Sequence, residues 1–334
     1  MALQKTISNI KAGQKTQTDP CEIRLIPLDW SEYCDFFQNI RRSNLLQSPG
    51  YAKTAKAVYN QTASPYLFEY KGEKVALALV LEAGVMNKMV HAVILDRGPL
   101  WMGHFGSPDH FCAFFDRFKA LYPERFGRRR RILPEIDCSK LNLQALGHTG
   151  LKQKTNIPRY QTIWLDLTKD TQRLRAELKG KWRNALKKAE KSEIDISWSG
   201  AIKQTALVLT CHNQDKARKK YSGTSLKTLS VLCHQAAADR NLLTGIARKN
   251  GRMIAGVVFI RHGLAATYQV GWTSPQGREV NANHLLLWEG AHMLKDMAVL
   301  DMDLGGVNDQ DAAGVKRFKQ GLGGELVELV GQYK

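Results

Sequence analysis

The chain has 334 residues, 43 % of them hydrophobic, and carries 49 Lys and Arg against 31 Asp and Glu, a formal net charge of +18. This length and apolar content allow two domains of ordinary size and exclude a chain disordered throughout. The longest apolar run, over 75–81, falls well short of the roughly 18 residues of a membrane helix, and the polar segment 1–20, with Lys5, Lys11 and Lys15, lacks the apolar centre of a secretion signal.

We therefore expect a flexible tail over 1–20 and a cytoplasmic chain with no transmembrane segment. A surface this basic attracts polyanions: nucleic acid, anionic lipid head groups or phosphorylated substrates. The first half alternates strands and helices. A strand is expected over 21–26 and a helix over 30–42. Gln47-Ser48-Pro49-Gly50 reads as a turn, with Ser48 as cap and Pro49 opening a helix that runs to Tyr59. Strands over 66–70 and 75–81 form a hairpin across Lys71-Gly72-Glu73. A strand over 90–95 ends in a turn at Arg97-Gly98-Pro99. A helix over 111–121, a strand over 131–136 and a short helix over 141–146 complete the half.

The pattern restarts near Pro158. It runs through a strand over 162–167, a long helix over 171–191, a strand over 194–198 and helices over 202–221 and 225–239. A meander over 242–247, 253–260 and 264–272 follows, then a helix over 283–297, a strand over 299–304 and a closing strand over 326–330. The halves echo each other. Residues 67–76 and 244–255 share one plan: a strand, a short basic turn with Gly72 or Gly251, and a strand with an apolar start. A second match, a strand, a turn with Gly and Pro, and a helix, follows in the same order. This indicates a duplicated α+β unit of roughly 150 residues, with a first domain over 21–158 and a second over 159–334.

Six cysteines stand at 21, 34, 112, 138, 211 and 233, none in C-x-x-C spacing, so reduced, buried structural cysteines are expected. Cys211-His212 and Cys233-His234 have no third ligand cluster to complete a zinc site. Asp301 and Asp303 share a strand face but no histidine joins them. No metal is expected, and Asp303 reads as structural or substrate-positioning.

On helix 171–191, Leu174, Leu178, Trp182, Leu186 and Ala189 recur at spacings of three and four. Arg173, Arg175, Lys179, Lys181, Arg183, Lys187, Lys188 and Lys191 crowd the remainder, against Glu177 and Glu190. An ordinary solvated face mixes signs; this one suits phosphates. Arg128 to Arg131 form a second cluster, and Lys216, Arg218, Lys219 and Lys220 a third. No P-loop or Rossmann glycine signature is present. The turn Gln276-Gly277-Arg278-Glu279-Val280-Asn281 lacks the second glycine that close approach to a CoA pyrophosphate favours.

No nucleophile elbow or triad stands out, and acyl transfer to an amine can proceed without one. A cation or N–H set against the developing oxyanion supplies the main stabilisation. Lys319 suits that role, after an anchoring Phe318 and before the glycine-rich 321–324; Lys316 and Arg317 are its competitors. Tyr268, on a strand beside the presumed cleft, is a further candidate, with core packing as the alternative.

Four segments together resemble the FemABX family of aminoacyl-tRNA-dependent peptidyltransferases. They are Gln47-Ser48-Pro49-Gly50-Tyr51-Ala52-Lys53 with Lys56 beyond, the basic run 179–188, Asp303-Leu304-Gly305-Gly306-Val307, and Gly314-Val315-Lys316-Arg317-Phe318-Lys319. The resemblance implies tandem GNAT-like acyltransferase domains, each a mixed, mostly antiparallel sheet flanked by helices, without a coiled-coil arm. It implies an aminoacyl group moved from aminoacyl-tRNA to an amine of a peptidoglycan-precursor-like peptide, UDP- or lipid-linked, with no metal, redox group or CoA. Lys53 or Lys56 would grip the acceptor's diphosphate, with Arg218, Lys219 or Lys220 from the second domain. Glu135, or Asp137, would orient the amine, Lys319 would stabilise the transition state, and Lys179, Lys181, Arg183, Lys187 and Lys188 would hold tRNA. Tyr51 stands where the family usually has Trp. Contact with an anionic membrane at its inner face is also expected. An acyl-CoA-dependent N-acyltransferase and a non-catalytic nucleic-acid-binding protein are the alternatives.

Overall fold

Hydrophobic alternation and tight glycine turns build two sheets in the computed structural model, which describes residues 23–220, 223–307 and 309–334, the side chains of 309–313 excepted. The expected tail and the first two residues of the expected opening strand lie outside the described residues. The first sheet contains β1 (Ile23–Pro27), β2 (Thr62–Tyr70), β3 (Glu73–Val85), β4 (Val90–Asp96), β5 (Leu100–Trp101) and β6 (Arg128–Leu133), in the order β1-β2-β3-β4-β6 with β5 on β3. The second contains β7 (Gln161–Asp166), β8 (Asp195–Ser199), β9 (Leu242–Lys249), β10 (Arg252–His262), β11 (Ala265–Thr273), β12 (Asp301–Asp303) and β13 (Glu325–Glu328), in the order β13-β7-β12-β11-β10-β9-β8.

The duplication is explicit in this topology. The series β1-β2-β3-β4-β6 and β8-β9-β10-β11-β12 are each antiparallel up to a last parallel pair, β4 with β6 and β11 with β12. A parallel neighbour needs a crossover, supplied by helices α3 (Pro108–Leu121) and α10 (Ala282–Asp296). The two hairpins also share a turn: Lys71 and Gly72 have φ of 52° and 81°, Asn250 and Gly251 51° and 74°. Two consecutive left-handed residues match the strand twist in a two-residue loop.

Helices cover both faces of each sheet. In the first half α3 buries Phe111, Phe114, Phe115 and Phe118 against Phe68, while α1 (Trp30–Phe37) and α2 (Pro49–Tyr59) cover Leu67, Leu77 and Leu79 on the other face. In the second half α5 (Thr171–Glu177), α6 (Gly180–Glu190) and α10 pack on one face, and α7 (Ile202–Lys219) and α8 (Leu226–Ala238) on the other. Full burial of each large apolar side chain contributes about 1.5–3 kcal/mol. The two halves share surfaces. Helix α2 packs on α8, and Leu45 joins the α7/α8 cluster. After β13 the chain returns to the first half, where Leu329 bridges Asp137, Tyr333 bridges Ile132, and Val330 and Tyr333 enter its core.

Four expectations change. Helix α1 stops at Phe37, because the chain turns through Arg42 (φ 53°) and a short 3-10 turn, Leu45–Gln47, to bring Arg41 and Arg42 onto Asp301. The helix over 171–191 breaks at Leu178, whose ψ of 132° is extended; Lys179 N–H donates to Gly321 O at 3.0 Å, and α6 restarts behind it. The apolar face survives the break: Leu174, Leu178, Trp182, Leu186 and Ala189 are all buried. The strand expected over 131–136 ends at Leu133, so Glu135 lies beyond it in a loop. Of the described cysteines only Cys233 is buried, and all are free. No described helix is long and apolar enough to cross a membrane.

Candidate active site

The parallel strands β11 and β12 pair only over Ala265–Thr267 and Asp301–Asp303. Beyond that the two chains part, and β12 leaves through Gly305 and Gly306. Gly305 has φ 72°, and a Cβ there would lie 3.1 Å from the carbonyl oxygen of Tyr268. Glycine thus serves both the left-handed turn and the close approach. Helix α11 (Asp309–Gly321) delivers Lys319 into this gap. Its Nζ donates to Gly306 O at 3.1 Å and to Gly305 O at 3.3 Å, and lies 5.6 Å over the ring of Tyr268. Lys319 is 7 % exposed. Burial pushes its pKa down to about 8, with the Asp303 carboxylate opposing. Lys319 is therefore a cation at neutral pH that titrates slightly above it.

Asp303 is wholly buried beside this lysine. It accepts from Thr162 Oγ1, from Gly305 N–H at 2.8 Å and from Arg97 Nη1 at 2.8 Å. Arg97, itself buried, also binds Glu135 in a fork, Nε to Oε2 at 2.7 Å and Nη2 to Oε1 at 2.6 Å, and stacks 5.0 Å from the Tyr160 ring. One guanidinium from the first half thus serves a carboxylate of each half. Burial alone would raise the Asp303 carboxyl, but Arg97, Thr162 and Gly305 outweigh it and hold it below the usual carboxylate range. Burial pushes the Glu135 carboxyl up, and Arg97 offsets this only in part. Two carboxylates on one arginine, with pKa values driven apart, is an arrangement common at catalytic sites.

The network fixes the lysine's seat. Asp303 orients the Gly305 N–H, and the following carbonyls hold Lys319. A second clamp lies two residues back: Arg41 Nε reaches Asp301 Oδ2 at 2.7 Å and Arg42 Nε reaches Oδ1 at 3.2 Å. Asp301 and Asp303 are thus both ligated by arginines of the first half.

A cleft of about 1120 Å³ opens between the halves, walled by α1 and α2 on one side and by α8 and the end of β10 on the other. Lys53 and Lys56 line it, as expected of acceptor-gripping residues, but Lys319, Tyr268, Asp303 and Glu135 do not. Lys53 pairs with Asp239 across the cleft at 3.2 Å, and Lys56 donates to Asn60 at 3.0 Å. His262 lines the cleft; its Nδ1 lies 3.2 Å from Ser43 Oγ, whose hydroxyl donates to His262 O at 2.6 Å, and its Nε2 lies 2.7 Å from Thr267 Oγ1, on the residue paired with Asp303. Burial brings its pKa to about 4, so it is neutral at physiological pH.

The other expected residues lie apart. Arg218 and Lys219, at the end of α7, both pair with Asp215. Lys179, Lys181, Lys187 and Lys188 are exposed on or beside α6. Lys179 borders a second cleft of about 440 Å³ with Glu177, Gln320, Gly323 and Gly324, next to the end of α11. Arg183 points inward instead, donating to Ala176 O and Leu178 O at 2.8 Å each, and so ties off the break before α6. Sequence reasoning missed Arg97, Tyr160, Thr162 and His262. Only Arg97 left a signal, an arginine directly after an apolar strand, which the Gly98-Pro99 turn obscured.

Residues 172–320 match the family model described as an acetyltransferase (GNAT) domain. Among solved structures, FemX aligns over 93 % of this chain and 96 % of its own at 14 % identity, with a TM-score of 0.76. The chain is a tandem GNAT fold. The resemblance to the FemABX family is borne out at that level. A tandem GNAT protein from the clavulanic acid biosynthesis pathway aligns over 93 % and 98 % at 11 % identity, with a TM-score of 0.51. The C-terminal domain of a putative lysylphosphatidylglycerol synthetase from Agrobacterium fabrum aligns over 89 % of each chain at 12 % identity, also at 0.51. No curated protein matches by sequence.

Proposed function

We propose that this protein is an aminoacyltransferase that joins an amino acid from aminoacyl-tRNA to the amine of an anionic, peptide-like acceptor. The observation that carries the reading is Lys319. It is a buried cation in the gap between two parting parallel strands, and its hydrogen bonds among the described residues go to neutral backbone carbonyls. A buried ammonium whose nearest carboxylate, Asp303, is already paired with Arg97 is costly to hold, and an oxyanion formed beside it is stabilised. The acceptor amine, unprotonated, would attack the ester carbonyl, Lys319 would stabilise the oxyanion, and collapse would break the C–O bond as the amine's proton passes to the ribose oxygen, which leaves as the tRNA hydroxyl. Tyr268 would wall the acyl group, and Asp303 would position the lysine through Gly305. Glu135, paired with Arg97, supports the lysine's seat here rather than the amine.

Three observations favour tRNA over CoA as donor. Lys179, the exposed residue that caps the basic helix α6, lines the second cleft, which reaches Gln320, the neighbour of Lys319. Gly277, in the turn where CoA enzymes receive pyrophosphate, faces the sheet instead: its Cβ would meet Ile254 O at 2.3 Å. The likeness to FemX, at a TM-score of 0.76, exceeds that to the clavulanic acid tandem protein, at 0.51. On this reading Lys53 and Lys56 hold the acceptor's phosphate in the larger cleft, and the acceptor passes His262 to reach the lysine. Incubation with charged tRNAs and acceptor peptides, with product mass as the readout, tests the assignment. Release of free thiol from acetyl-CoA, without transfer from tRNA, would favour the CoA-dependent alternative.

A further inference from the structure

We propose that the β3–β4 hairpin tip, together with the loop leading into β6, is a docking surface for an anionic lipid bilayer. Single exposed apolar residues are ordinary; contiguous ones mark interaction sites. Of 14 exposed large hydrophobics among the described residues, six fall in two adjoining segments: Val85, Met86, Met89 and Val90 on the tip, and Leu121, which ends α3, with Phe126 on the loop that follows. Met86 is 70 % exposed, and Phe126 is 101 % exposed, in contact with essentially nothing.

The two segments are fastened to each other. Arg125 donates to the carbonyls of Lys88, Met89 and Phe126, and His91 N–H donates to Gly127 O at 2.9 Å. A Cβ on Gly127 would lie 2.0 Å from Met89 O, so the approach requires glycine. A fastened loop that holds a phenylalanine in water is preorganised for a partner.

Charge selects the partner. Lys88 pairs with Glu82, Arg130 with Glu124 and Arg131 with Asp96. Arg125, Arg128 and Arg129 form no ion pair among the described residues. An apolar apex flanked by the exposed Arg125 and Arg129, with Arg128 held half-buried by His91 and Pro123 O, matches the boundary of an anionic bilayer, where Met and Phe enter the acyl region and guanidinium groups meet phosphates. Strand β4 runs from this tip to Asp96, beside Arg97, so the active site would stand about 20 Å from the membrane face at roughly 3.3 Å per residue. This inference does not depend on the donor or on Lys319.

Co-sedimentation of the full chain with vesicles of equal parts phosphatidylglycerol and phosphatidylcholine tests it, with phosphatidylcholine vesicles as control. The expected result is binding to the anionic vesicles, weakened at least about tenfold by the pair Phe126→Glu and Met86→Glu. Both side chains are exposed, and an unchanged thermal melt would verify that the variant folds. Failure to bind anionic vesicles would overturn the proposal. So would binding unaffected by the pair but lost when Lys181, Lys187 and Lys188 become Ala. Self-association removed by Phe126→Glu, without vesicle binding, would assign the patch to a protein partner instead.

Discussion

Replacing Lys319 by Met keeps the length of the side chain and removes its charge. Burial lowers the lysine from 10.5 to about 8. A shift of roughly 2.5 units at about 1.36 kcal/mol each disfavours the folded ammonium by roughly 3 kcal/mol. Because the folded value lies below the unfolded one, the unfolded chain holds the extra proton between the two, and native stability rises as pH climbs through that window. Methionine escapes this penalty but forfeits the hydrogen bonds to Gly305 and Gly306, worth about 1 kcal/mol each. The variant should therefore be about 1 kcal/mol more stable than the parent at pH 7, and less stable above pH 10, while losing turnover. Urea unfolding at both pH values measures the difference. A variant that is destabilised by more than 1 kcal/mol at pH 7, with no dependence on pH, would show that the lysine is a structural strut, and the catalytic reading would lose its physical basis.

Arg97→Met should strand Asp303 and Glu135 in the interior and cost about 3–5 kcal/mol by urea unfolding at neutral pH. That deficit should shrink toward pH 5, as the unpaired carboxyls take up protons in the folded state; an equal deficit at both pH values would mean that Arg97 acts through packing alone. With saturating substrates, the transfer rate should fall as pH rises through about 8, as Lys319 loses its proton; a rate that rises there would recast the lysine as a general base. Changing Lys181, Lys187 and Lys188 to Ala should weaken tRNA binding and flatten its dependence on log salt by roughly two units, at about 0.7–0.9 per phosphate contact. An unchanged salt slope in a filter-binding titration would remove α6 from the donor site.

The fold was legible because its signals are local. The β2–β3 and β9–β10 hairpins follow from Lys71-Gly72 and Asn250-Gly251, and the duplicated order follows from the spacing of those turns. The buried face of helices α5 and α6 follows from their apolar period. Lys319 and Asp303 were found because glycines flank both. What escaped depends on the approach of distant segments. Arg97 meets Asp303 across 206 residues, Arg41 meets Asp301 across 260, and Ser43 meets His262 across 219. No periodicity encodes such pairings. The helix break at Leu178 escaped because its cause is the Gly321 carbonyl that receives Lys179 N–H, far along the chain. Lys53 and Lys56 do line a cleft, but one that Lys319 does not.

The proposed activity requires that an acyl group leave tRNA at Lys319. Purified protein would be incubated with tRNAs carrying radiolabelled amino acids and a cell extract, and the products identified by mass. We predict an acceptor heavier by one aminoacyl residue, formed only when RNase is absent, missing with Lys319→Met, and accompanied by unchanged tRNA binding in that variant. Label that stays on tRNA with the parent protein, or product formed equally well by Lys319→Met, would contradict it.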